Sequence, residues 1–157
     1  MKQKNGRVSL IVSVVFAVLC LCGLFYVCLW LPDVVNSMID TFDNLGDRAN
    51  ITSLGRTLIL IDAYAIMTVA FFAVFLILFL LRTVSQGQVF SKRAIGQLDA
   101  LMIGCFIEGI LFGVLTPYFQ LSLCVALAAF LLGLLLRVVV HVIEEAMRIK
   151  QENDFTI

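Results

Sequence analysis

The sequence predicts an all-α integral membrane protein: a four-helix bundle with both termini inside and an amphipathic extracytoplasmic helix between spans 1 and 2. Three observations carry this. Of the 157 residues, 62% are hydrophobic, against about 45 to 50% in soluble domains. Four apolar stretches reach the ~20 residues of helix that a hydrocarbon core of about 30 Å requires. Lysine and arginine are enriched beside those stretches on one side, the pattern of cytoplasmic loops. The chain therefore reads as one membrane domain, residues 1–157, in the plasma membrane, with the lipid bilayer as its first partner. Formal net charge is zero, so no overall field attracts nucleic acid, and no direct nucleic-acid partner is expected.

The first span covers residues 8–30 and follows Lys2, Lys4 and Arg7. That charged start resembles a secretory signal, but the apolar run is longer than a signal core and no small-residue cleavage site ends it. Leucine precedes Cys20 and Cys22, which argues against a lipoprotein. The span is expected to remain as an anchor. The second, third and fourth spans cover residues 57–81, 94–115 and 121–143. Each must be helical, because lipid offers backbone groups no hydrogen-bond partner.

The connections set the orientation. Arg82, Lys92 and Arg93 lie between spans 2 and 3, whereas Asp33, Asp40, Asp43 and Asp47 face only Arg48 and Arg56 after span 1, and the turn 116–120 is uncharged. Both termini are thus expected in the cytoplasm, with a tail over residues 144–157. In the outer segment, residues 31–56, Val34, Val35, Met38, Ile39, Phe42 and Leu45 recur at helical spacing. Asp33 is expected as a cap and Gly46 as a stop, so a separate amphipathic helix should lie on the outer face, as a lid or as a ligand surface. On the inner side, Ser85-Gln86-Gly87-Gln88 reads as a turn and Ser91 as the cap of the third helix. The sequon at Asn50 is frequent by chance and carries no weight.

The five cysteines, Cys20, Cys22, Cys28, Cys105 and Cys124, lie in apolar runs without Cys-x-x-Cys spacing and read as small apolar residues. Cys28 and Cys124 fall toward the outer face, where an oxidising compartment would permit a disulfide.

Ionisable residues at membrane depth are costly and raise a functional hypothesis. They are Asp62, Asp99, Glu108, Arg137 and His141. If spans 3 and 4 form an antiparallel hairpin about Tyr118, residues at equal depth have numbers adding to about 237. Asp99 then meets Arg137, Arg93 meets Glu144 and Lys92 meets Glu145, an ion cluster locking the inner half of the hairpin. The same register sets Gly104 level with Gly133 and Glu108 level with Ala129. Cys105, Gly109 and Gly113 form a stripe facing Ala126, Ala129 and Gly133, whose small side chains permit close approach within one chain or between copies in a homo-oligomer.

Glu108 stays near mid-depth with no cation at its level, and Asp62 lies roughly 8 Å below the outer surface. The two acids are intramembrane polar candidates, read either as a proton or cation site or, for Glu108, as a protonated side chain hydrogen-bonded to a neighbouring backbone or hydroxyl group. Arg137, His141, Glu144, Glu145 and Arg148 follow one stripe of a helix expected to run to about Gln151. His141 reads as interfacial; no metal site and no cofactor are expected.

Two short motifs resemble a bacterial family of small membrane proteins known as domain of unknown function 2975. Gly87-Gln88-Val89-Phe90, followed by a polar helix start and Ile95-Gly96, is similar to the family's Gly-x-Pro-Phe segment, with Val89 where proline is common. The ending Gln151-Glu152-Asn153-Asp154-Phe155-Thr156-Ile157 resembles its acidic tail closing in Thr-Ile. The likeness spans about residues 57–157. It implies a four-span protein and, because many members are encoded beside a helix-turn-helix regulator, a cytoplasmic protein partner.

No nucleophile elbow, His-Glu-x-x-His pair or phosphate loop is present, so no catalytic residue and no enzyme activity are expected. The leading expectation is a regulatory or sensory membrane protein that engages a cytoplasmic regulator through its last helix and a tail hook of Phe155, Thr156 and Ile157. The alternative is a small oligomeric transporter or ion pathway using Glu108 and Asp62. Small multidrug antiporters also have four spans, but they carry their essential acid in the first, where this chain has none.

Overall fold

The computed structural model describes the backbone of residues 2–44, 53–86 and 91–154. It comprises four helices: α1, Lys2–Asn44; α2, Ser53–Ser85; α3, Lys92–Leu115; and α4, Leu121–Asp154. All four are long and apolar enough to cross a membrane. At about 1.5 Å per residue, the 24 residues of α3 span roughly 36 Å and the 34 of α4 roughly 51 Å, so both exceed a hydrocarbon core of about 30 Å.

Consecutive helices are antiparallel. The start of α1, Val12 to Cys20, lies opposite the end of α2, Val74 to Leu81. Thr68 to Leu76 of α2 run opposite Ile107 to Ala100 of α3. The first residues of α1 and the last of α4 therefore lie at the same end of the row. Among the described residues each helix packs closely only on its neighbour in sequence. The four expected helices thus stand in an open row among the described residues, with α1 and α4 as its edges. Phe16, Phe25, Phe72 and Leu135 stay more than half exposed. In water such a surface would aggregate, whereas in a bilayer it meets lipid.

The outer segment departs most from expectation. Residues 31–44 do not form a separate amphipathic helix; they continue α1 without a break through Pro32. Proline removes one amide donor from the helix ladder, a loss that membrane helices tolerate where neighbouring groups compensate. Asp33 accordingly lies inside the helix and is not a cap. The apolar residues of this stretch divide by face. Val35 and Ile39 pack with Leu31, Ile59 and Leu115 in a core at the outer end, where Ile39 is wholly buried, while Val34 and Met38 stay exposed. The Phe42 side chain, Leu45, Gly46 and Asn50 lie outside what the structure describes.

Local signals near α3 held. Ser91 adopts extended backbone angles, and its Oγ accepts a hydrogen bond from the Ala94 amide at 3.2 Å, an N-cap. The turn 116–120 is closed by the Tyr118 and Phe119 amides donating to the Leu115 carbonyl. The Ser122 hydroxyl then donates to the Phe119 carbonyl at 2.6 Å, at the start of α4.

The α3–α4 hairpin is the tightest contact, and its chemistry differs from the small-residue seam expected. Two close approaches set an aromatic ring on a glycine. The Phe130 ring lies 3.0 Å from where a Cβ on Gly109 would stand, and the Phe106 ring 3.2 Å from the corresponding point on Gly133. The two rings are tilted, with centroids 6.1 Å apart. These pairs add to 239, two more than the expected sum, and a shift of two residues replaces glycine opposite glycine with phenylalanine opposite glycine. Gly104 therefore does not face Gly133; it lines the groove toward α2. Gly113 has open space at its Cβ position. Ala126 is buried and Ala129 half-buried.

Candidate functional site

Asp62 enters from α2 and Glu108 from α3. The α2–α3 contacts set Ile59 in one core with Leu115 and Thr68 opposite Ile107, so the two acids singled out as intramembrane candidates stand on neighbouring helices, more than one helical turn apart in depth. Asp62 Oδ2 and Glu108 Oε2 are each shielded from solvent and make no hydrogen bond. On α2, Thr68 Oγ1 donates to the Tyr64 carbonyl at 2.9 Å, the usual way a membrane helix satisfies a threonine. The backbone or hydroxyl partner considered for Glu108 is thus not supplied to its Oε2.

Outward of this pair lies the apolar core of Leu31, Val35, Ile39, Ile59 and Leu115, with Ala63, Ile66, Met67 and Phe112 packed against it. Inward, a groove of about 360 Å³ between α2 and α3 passes Ile107 and Gly104 and is apolar apart from Thr68. A carboxyl group with a shielded, unpartnered oxygen in such surroundings holds a bare negative charge only at large cost. Protonation relieves that cost.

The inner-leaflet ion cluster forms in part. Arg137 Nη1 stands 3.9 Å from Asp99 Oδ1, an ion pair too long for a hydrogen bond. The other two expected pairings are absent among the described residues. Arg93 does not meet Glu144, and Lys92 does not meet Glu145. Glu145 instead accepts from Arg148 on its own helix at 2.7 Å, because a partner three residues away is reached without crossing to another helix. Arg148 also stands 3.9 Å from Glu152. The local stripe, not the hairpin, absorbs these charges.

Other sequence expectations resolve similarly. All five cysteines are free, and Cys28 and Cys124 lie on α1 and α4, which do not pack together, so no disulfide joins them. His141 is exposed. Phe155, Thr156 and Ile157, the expected tail hook, lie outside the described residues, as does the motif at 87–90.

Sequence reasoning missed the tie at the outer end. Arg56 of α2 pairs with Asp40 of α1 at 3.0 Å and reaches Asn36 Oδ1 at 3.4 Å. Register arithmetic would have found it, had α1 been continued past Trp30.

Four membrane-length helices in an antiparallel row define a multi-pass membrane protein. The family described as Protein of unknown function (DUF2975) matches residues 38–157, and the chain belongs to it. The match begins earlier than the likeness expected from residue 57, taking in the end of α1. No curated protein and no solved structure matches the chain.

Proposed function

We propose that the protein is a non-enzymatic regulatory or sensory component of the plasma membrane, with both termini cytoplasmic, that engages a soluble partner through the end of α4. The observation that carries this reading is a self-supporting extension. In the hairpin register Glu145 stands near the level of Lys92, where α3 begins, so α4 continues about ten residues, or roughly 15 Å, beyond it. A free helix that short is marginal in water, but this one propagates from a membrane-anchored segment and needs no new nucleus. Its Glu145–Arg148–Glu152 stripe supplies local ion pairs. Ile149 remains 55% exposed, an apolar contact for a partner. The family resemblance points to a helix-turn-helix regulator as that partner's class.

The test is co-purification of the full chain with the regulator encoded beside it, compared with Ile149→Glu and with a chain lacking residues 151–157. Both changes should abolish capture and leave membrane insertion intact. Undiminished capture by both would end the proposal.

The Asp62–Glu108 pair supports a second reading, a proton or cation pathway completed by other copies of the chain along the open edges of the row. Glu108→Gln should then abolish pH-driven or cation-driven flux in vesicles while the protein still folds. Flux equal to that of the unaltered chain would exclude it.

A further inference from the structure

We infer that a pocket between the end of α2 and the start of α3 binds one phosphate-class anion through Arg82 and Arg93. The pocket encloses about 280 Å³ and is lined by Phe79, Arg82, Thr83, Gln86, Arg93 and Gln97. No acidic side chain contributes to it. This is unusual within the chain itself. Arg56 is matched to Asp40, Arg137 to Asp99, and Arg148 to Glu145 and Glu152. Of the arginines whose side chains are described, Arg82 and Arg93 are the two without a carboxylate, and they converge on one cavity from two helices.

The polar lining suits an anion with further hydrogen-bonding groups. Two guanidinium forks present paired N–H donors, the geometry that matches phosphate oxygens. Gln86 and Gln97 add amide groups. Thr83 is buried with its hydroxyl donating to the Phe79 carbonyl at 3.0 Å. Phe79 gives an apolar wall. An anionic lipid headgroup carries this combination of phosphate, hydroxyl and apolar stem, and basic pockets between membrane helices at the cytoplasmic surface recognise such headgroups. A soluble phosphate offers the same oxygens without the stem.

Arg82 closes the apolar run of α2, and Arg93 opens that of α3. The pocket therefore sits at headgroup depth on the side where α1 begins and α4 ends. Arg93 also stands in the first turn of α3, where exposed backbone amides favour negative charge.

Native mass spectrometry of the purified full chain in neutral detergent tests this, with phosphatidylglycerol, phosphatidylcholine and inorganic phosphate as probes. The unaltered chain should retain one phosphatidylglycerol in preference to phosphatidylcholine, and R82Q and R93Q should each weaken retention by about tenfold. If inorganic phosphate displaces the lipid at equal concentration and also depends on both arginines, the site is a phosphate site of soluble source. R148Q, at an arginine already paired on α4, should bind like the unaltered chain. Circular dichroism and the thermal transition without ligand establish that the variants fold. Should folded R82Q/R93Q retain phosphatidylglycerol as well as the unaltered chain, or should the unaltered chain bind neither lipid nor phosphate selectively, the inference is overturned.

Discussion

Replacing Gly109 with alanine puts a methyl group 3.0 Å from three atoms of the Phe130 ring, Cε1, Cε2 and Cζ. Carbon atoms rest about 3.5 to 4.0 Å apart, so the ring must retreat by roughly half an ångström or more. Phe106, with its ring centroid 6.1 Å from that of Phe130, narrows the room for that movement. Adding one methyl to a filled contact costs about 1 to 3 kcal/mol. Exchanging a helix-interior glycine for alanine contributes up to about 1 kcal/mol in the opposite direction. Gly104 on the same helix has nothing within 4 Å of its Cβ position, so Gly104→Ala receives the propensity gain with no contact cost. Subtracting one variant from the other removes the shared propensity effect. Gly109→Ala should therefore be less stable than Gly104→Ala by about 1 to 3 kcal/mol. Gly133→Ala, 3.2 Å from the Phe106 ring, should fall between them. Unfolding in mixed micelles, followed by the thiol accessibility of Cys105 in a chain whose other cysteines are serine, measures the difference. Adding Phe130→Leu to Gly109→Ala should recover at least half of the loss. If Gly109→Ala and Gly104→Ala prove equally stable, the ring-on-glycine account of the hairpin is wrong.

At the outer end, Ile39→Ala should cost about 2 to 4 kcal/mol, because Ile39 is wholly buried among Val35, Ile59 and Leu115; micelle unfolding reads this, and a cost below about 0.5 kcal/mol would mean that the end of α1 does not pack on α2. Arg56→Ala removes a largely exposed ion pair with Asp40 and should cost under about 1 kcal/mol, shrinking as salt is raised. Exchanging Asp99 and Arg137 for one another should restore most of the stability lost by Asp99→Arg alone, whereas additive losses in that double-mutant cycle would show that the pair at 3.9 Å contributes nothing.

How far the sequence reaches is clearest along α3. Hydrophobic run length, the serine cap at Ser91 and the short turn at 116–120 are local properties, and each appears in the structure where it was read. The membrane class follows from them, because four long apolar runs have no other stable solvent. The Asp99–Arg137 pair was also legible, since a hairpin closed by a tight turn has little freedom of register. Side-chain pairing across helices was harder. A shift of two residues set Phe130 on Gly109 and Phe106 on Gly133, and composition cannot distinguish a glycine that admits a small neighbour from one that admits a ring. Glu145 turned to Arg148 because contacts along a helix compete with contacts between helices, a contest decided only by rotation about the helix axis. The sequence by itself determined a four-span helical membrane protein with acids at membrane depth. Only the tertiary structure decided that α1 runs unbroken through Pro32, that the helices stand in an open row, and that Arg56 pairs with Asp40. Each of those depends on how separate helices dock, which distant residues settle together and no single stretch encodes.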